Sequence, residues 1–186
     1  MYSTSEFKKG LKIELDGVPY LIVDFQHVKP GKGGAFVRTK LKSLLTGRVL
    51  DQTFRSGERV KRPDLMEREM QYLYGEGDRF CMMDNETFEQ IWLTEEQVGE
   101  ARLFLTENLN LKVLFFNQQP VGVEVPNFVE LLVAQTEPGL RGDTATGATK
   151  PAVLESGATL QVPLFINEGD RVKVDTRTGS YIERLK

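Results

Sequence analysis

Apolar and polar residues alternate in short runs along this chain, a period of two that marks strands with one buried face. In the first such run Leu11, Ile13 and Leu15 fall on one side and Lys12 and Glu14 on the other. Asp16-Gly17 follows, a pair suited to the two positive-φ positions of a type I′ turn. The apolar run VPYLIVDFQHV is therefore predicted to return as the second arm of a hairpin, with Pro19 tolerated near its start. The next run, AFVRTKLKSLL, sets Arg38, Lys40 and Lys42 on one face and Val37, Thr39 and Leu41 on the other. After Thr46-Gly47, VLDQTFRSGERV keeps the rhythm of strand and turn, so residues 1 to about 62 read as a small β-barrel.

KRPDLMERE is the first candidate linker. Beyond it, EMQYLYGEGDRFCMMD predicts two strands about a Gly-rich turn, and FEQIWL a third. One helix is predicted, in TEEQVGEARLFL. Thr94 stands at its start with Gln97 three residues on, a reciprocal capping pair, and Glu95 and Glu96 lie where the helix dipole favours negative charge. LNLKVLFFNQQPVGVEVP resumes strand character, and a second boundary falls at VPNF, around Val125 to Phe128. FVELLVAQTEP, ATLQVPLFINEGDRVKVDT and SYIERL then read as strands separated by turn residues, with GLRGDTATGATKP as a small-residue loop. Trp92, Phe115, Phe116 and Phe165 lie in apolar runs and are expected in the core. Three short all-β modules account for the length, and five-stranded barrels of this size are common oligonucleotide-binding scaffolds.

Composition narrows the class. The chain has 186 residues, 40% hydrophobic and 27% charged, as in ordinary globular proteins. The opening MYSTSEFKKG lacks the apolar stretch of a secretory signal and no run approaches a membrane span, so a cytoplasmic protein without membrane association is expected. With one cysteine, Cys81, and one histidine, His27, neither a disulfide nor a zinc-ligand spacing is available; Cys81 reads as a small buried hydrophobe and His27 as an ordinary strand residue. No nucleophile has a visible partner base, and the chain does not read as an enzyme. Charge is uneven: residues 1 to 62 hold thirteen Lys and Arg against six Asp and Glu, whereas residues 63 to 186 hold eleven against twenty-one. A basic first module fits a phosphate backbone as partner, and an acidic remainder would be repelled by phosphate where unaided.

The stretch VKPGKGGAFVRTK places Lys32 between Pro30-Gly31 and Gly33-Gly34. It is not a phosphate-binding P-loop, because no Ser or Thr follows the lysine and a strand, not a helix, comes next. It reads as a hairpin tip that carries one cation outward, either solvated or offered to a partner. The stripe of Arg38, Lys40 and Lys42 beside it suggests an RNA-facing surface, a solvated face being the alternative. Arg141-Gly142-Asp143 matches an adhesion tripeptide only by chance in a chain with no secretory signal.

Taken together, the tip KPGKGGAF, the basic strand RTKLKSLLTG, the loop GDTATGATKPA and the segment KPAVLESGATLQVPLFINEGDRVKVDTRTGSYIERL closely resemble bacterial elongation factor P, and the resemblance spans the whole chain. It implies an all-β protein of three barrels: an SH3/KOW-like N-terminal domain over residues 1–63, a central OB-fold domain over 64–127 and a C-terminal OB-fold domain over 128–186, L-shaped overall. It further implies a factor that binds the 70S ribosome between the peptidyl and exit tRNA sites and relieves stalling at consecutive prolines. The expected partners are peptidyl-tRNA, ribosomal RNA and the mRNA codon, met by a monomer with no metal and no cofactor.

Residue by residue, the resemblance assigns Lys32 as the site of post-translational extension. Lys29, Pro30, Gly31, Lys32, Gly33 and Gly34 form the loop facing peptidyl-tRNA, Arg38, Lys40 and Lys42 bind tRNA or ribosomal RNA, and Gly142, Asp143 and Thr144 face the exit-site codon. Lysine at the tip implies a β-lysyl or aminopentanol-type adduct, added by a modifying enzyme; the rhamnose found where the tip is arginine is excluded. An elongation factor P-like paralogue and a generic OB-fold RNA-binding protein are the alternatives. The PGKG tip argues against the first, and the lack of a K-G-F-G-F-type stacking strand against the second.

Overall fold

The computed structural model describes residues 1–139 and 147–186 and divides the chain into two compact units, Met1–Glu67 with Leu114–Gly122, and Arg68–Val113 with Val123–Lys186. In the first unit, β1 (Tyr2–Ser3) pairs with β6 (Arg59–Val60), and a four-stranded antiparallel sheet runs in the order β2 (Lys12–Leu15), β3 (Val18–Val28), β4 (Phe36–Ser43), β5 (Val49–Arg55). The first hairpin forms for the reason the sequence supplies: Asp16 and Gly17 take φ of 50° and 77°, and Leu15 pairs with Val18. Alternation then decides the faces. Ile13, Ile22, Val37 and Leu41 are fully enclosed, and Phe7 meets Phe54 edge to face at 5.3 Å, which closes the core with Val60.

The second sheet is ordered β11 (Gln119–Glu124), β10 (Asn110–Phe116), β7 (Met66–Glu76), β8 (Arg79–Asp84), β9 (Gln90–Thr94). The third is ordered β14 (Thr159–Pro163), β13 (Thr149–Leu154), β12 (Phe128–Thr136), β15 (Arg171–Asp175), β16 (Ser180–Leu185). Numbered within its own module, each sheet reads 3-2-1-4-5, so the two share one five-stranded topology although their sequences show no obvious repeat. Val129, Leu131, Val133, Ala152, Leu154, Val162, Ile166, Val172 and Val174 form the core of the third sheet, with Leu103, Phe104 and Leu109 packed against it. The hairpin at 114–122 packs Leu114, Phe116 and Val121 with Leu44, Leu45 and Leu65, which is why it groups with the first unit.

Four predicted features are corrected. The linker KRPDLMERE is shorter than expected, because MERE already belongs to β7. The helix after Thr94 is one turn, α1 (Glu95–Val98). Its capping pair forms, with the Gln97 amide donating to Thr94 Oγ1 at 3.2 Å and the Thr94 amide to Gln97 Oε1 at 2.8 Å, but Gly99 takes φ 65° and the rest winds as a 3₁₀ segment. The stretch Thr149 to Pro151, read as loop, opens β13. Proline is tolerated there because Pro151 lies just past the last β13 residue paired with β12, Ala152 opposite Thr136, and the Thr136 hydroxyl donates to the Pro151 carbonyl at 2.9 Å. Trp92 and Phe165 are not core residues: they are 37% and 56% exposed, whereas Phe115 and Phe116 are buried as expected.

Candidate functional site

Strands β3 and β4 pair as far as Val28 opposite Phe36, and residues 29–35 between them form the tip of the longest hairpin of the first unit. Lys29, Pro30, Gly31, Lys32, Gly33 and Gly34 are all exposed. Gly33 needs its missing Cβ for a specific reason, since it takes φ +95°, a conformation side-chain-bearing residues rarely adopt. A Cβ built on Gly31, Gly33 or Gly34 would meet nothing within 4 Å, so the space around these three positions is open. Among the described residues, Lys32 makes no hydrogen bond or ion pair; its ammonium is free to be modified or to meet a partner.

The basic stripe is present but less uniform than alternation suggested. Arg38 and Lys40 are exposed, Lys42 is half-buried, and Val37, Thr39 and Leu41 face the core; Thr39 also donates its hydroxyl to the Gln52 carbonyl at 2.7 Å. Register fixes the neighbours of each cation. Arg38 lies between Gln26 and Thr53, with its guanidinium 5.5 Å from the Phe36 ring centre, and Lys42 lies between Leu21 and Val49. Lys40 lies between Asp24 and Asp51. Two carboxylates therefore offset the field of the middle lysine, while Arg38 keeps neutral flanks. Asp24 also meets Lys9 Nζ at 3.8 Å on the open surface. The sequence could not reveal these carboxylates, because the pairing of β3 with β4 depends on the length of the Pro-Gly tip and on a bulge between Ile22 and Asp24, and that of β4 with β5 on the turn after Ser43.

Gly142, Asp143 and Thr144, the predicted codon-facing loop, lie outside the described residues. The chain enters and leaves that segment from anchored ends: Lys150 Nζ donates to the Glu137 carbonyl, and Thr149 Oγ1 lies 3.0 Å from Gln161 Oε1. His27 sits in β3 opposite Val37, its ring edge-on to Phe25 at 5.6 Å. Cys81 is buried, as expected, and burial pushes its thiol pKa up, away from nucleophilic thiolate. Among the described residues no group of His, Cys, Asp and Glu is arranged to hold a metal ion, and no helix is long and apolar enough to cross a membrane.

Comparison with known proteins bears on the family of the chain. Three family models match in succession: the elongation factor P KOW-like domain over residues 3–60, the elongation factor P OB domain over 65–123 and the elongation factor P C-terminal domain over 129–184. Elongation factor P from Desulfitobacterium hafniense is 58% identical over 184 residues, covering 99% of this chain and all of the relative. The Moorella thermoacetica protein of the same name is 59% identical over the same span. A solved structure titled eukaryotic translation initiation factor 5A from Methanococcus jannaschii is 26% identical, covers 67% of this chain and 90% of its own, and has a TM-score of 0.47. With three family models covering nearly every residue and full-length relatives well above half identity, this chain belongs to the elongation factor P family of translation elongation factors.

Proposed function

We propose that this protein enters the ribosome between the peptidyl and exit tRNA sites and uses the Lys32 loop to hold the end of a peptidyl-prolyl-tRNA in reactive geometry. Proline restricts the backbone and offers a secondary nitrogen, so a chain ending in consecutive prolines can rest in orientations that do not react. Restoring orientation can be worth up to about 7 to 11 kcal/mol in ideal intramolecular cases. A fraction of that is enough to restart a stalled step. The ribosome performs the chemistry and this protein contributes binding energy directed to alignment.

One observation carries the reading: a lysine without a partner among the described residues stands at an exposed tip whose glycines leave the loop thin. A β-lysyl or aminopentanol-type adduct on Lys32 would lengthen that reach. Arg38 and Lys42 would hold RNA phosphate beneath the tip, and Gly142, Asp143 and Thr144 would approach the exit-site codon from the third module. The modules would correspond to residues 1–63, 64–127 and 128–186.

The test is reconstituted translation of a message with consecutive proline codons. Protein taken from its native host should relieve the stall, and Lys32→Ala, folded to the same stability, should not. Full relief by Lys32→Ala would overturn the reading. Intact-mass analysis of the native protein identifies the adduct.

A further inference from the structure

Three residues that the proposed function does not use stand together on the second sheet. Tyr74 of β7 and Trp92 of β9 are 49% and 37% exposed, and their rings meet edge to face at 5.5 Å. The Arg79 guanidinium of β8 lies 4.7 Å from the centre of the Trp92 ring. Register explains the arrangement. Tyr74, Cys81 and Trp92 form one cross-strand row, so all three project from the same face, and Cys81 is buried because the two rings roof it. Met82, one residue on, is buried on the opposite, interior face. A small residue under two large ones makes the roof low and supported, and the arginine is already stacked, so little side-chain freedom remains to be lost when a partner arrives.

We infer that this outer face of β7, β8 and β9, centred on Tyr74, Arg79 and Trp92, is a docking site for a basic protein surface. Two arguments lead there. Tyr, Trp and Arg are the residues that dominate binding energy at protein interfaces, and here they form the centre of a patch. The patch spans the first three strands of a 3-2-1-4-5 sheet, with Arg79 and Trp92 on the second and third, the strands whose face takes up oligonucleotides and oligosaccharides in such barrels. The surroundings then choose between ligand classes. Glu76 pairs directly with Arg79 across β7 and β8, Asp78 sits in the turn between them, and Thr94, opposite Arg79 on β9, is followed by Glu95 and Glu96. All four carboxylates are on exposed residues, and among the described residues Arg102 meets one of them, Glu95, at 3.4 Å. A nucleotide stacked on Trp92 would bring its phosphates into this acidic rim, whereas lysines and arginines of a protein would be drawn to it.

The inference depends on the family's association with the ribosome and not on where the Lys32 loop goes. It is tested with the full chain carrying photoreactive p-benzoylphenylalanine at position 74, crosslinked on purified bacterial 70S ribosomes. Adducts to a ribosomal protein at a Lys- and Arg-rich segment are expected; adducts to RNA, or none under conditions where the protein cosediments, would overturn the inference. Trp92→Ala should weaken cosedimentation about tenfold, and Asp78→Lys, at an exposed turn where the fold is not at risk, should weaken it in a salt-dependent way. Unchanged affinity in Asp78→Lys, together with unchanged affinity in a folded Trp92→Ala, would equally contradict it. Because Lys32→Ala leaves this face intact, its failure in stall relief with the crosslink retained separates the two proposals.

Discussion

Lys40 stands directly opposite Asp51 across β4 and β5, with Asp24 opposite it on the other side. The middle cation of the stripe is thus the one least able to attract phosphate. Arg38→Ala is expected to weaken ribosome association more than Lys40→Ala and to lower the salt slope by about one counterion. Asp51→Asn should strengthen association. Equal losses for the two single variants would show that the register neighbours do not shape the surface.

The pattern of two located most strands because one face of each is buried, and Asp16-Gly17 and the Thr94–Gln97 pair were legible because their chemistry is local. What escaped the sequence depends on which strands become neighbours. Pro151 argued for loop, but it stands in β13 just past the last pair with β12, Thr136 opposite Ala152. Trp92 looked like core, but its row covers Cys81 from outside, and the carboxylates beside Lys40 come from β3, offset by the tip and by a bulge between Ile22 and Asp24, and from β5, offset by the turn after Ser43. The tip itself was readable from composition, since Pro and Gly around one lysine leave few structural uses for that lysine.

Gly33 is the tip glycine whose φ of +95° penalises a side chain, whereas Gly31 and Gly34 carry no such restriction and have open space around them. Gly33→Ala should therefore shift the tip's conformation at a cost of about 1 to 2 kcal/mol for the native loop. Global stability should hardly change, because the loop is exposed and can relax. Stall relief should fall in Gly33→Ala and survive better in Gly34→Ala; a thermal melt and the same translation assay on both proteins decide it.

Two aspartates, Asp84 and Asp175, have pKa values held below the ordinary carboxylate value in the fold. Asp84 accepts amide hydrogens from Glu86 at 2.8 Å and Thr87 at 3.1 Å, which holds its pKa below the ordinary value, with Arg68 adding to the effect. Asp175 is held down first by the Arg177 side chain, whose Nε and Nη2 reach it at 3.1 and 3.0 Å, and then by the Arg177 amide. Carboxyls with lowered folded pKa contribute stability that is fully present above the unfolded value of about 3.9 and is lost as pH falls through the folded one. Denaturant melts should show stability dropping below about pH 4. Asp84→Asn, which keeps an acceptor and removes the titration, should flatten that drop; a curve identical to the parent's would rule the linkage out.

Thr94→Ala removes the side-chain acceptor of the capping pair and leaves the Gln97 amide without it. A loss of about 1 kcal/mol is expected in urea unfolding. Since α1 is a single turn leading into the segment that places Leu103 and Phe104 on the third core, the loss should appear without change in the Lys32 loop or in stall relief. Loss of stall relief in a variant this mildly destabilised would place function in the wrong part of the molecule.

The most direct measurement fixes where residue 32 goes. Cys81→Ser leaves the chain without thiols, and Lys32→Cys then gives one attachment point at the tip for a short photocrosslinker. On ribosomes stalled at consecutive prolines, the label is expected to join the 3′ end of the peptidyl-tRNA. Labelling confined to the protein's own residues, or to RNA remote from that end, would contradict the account.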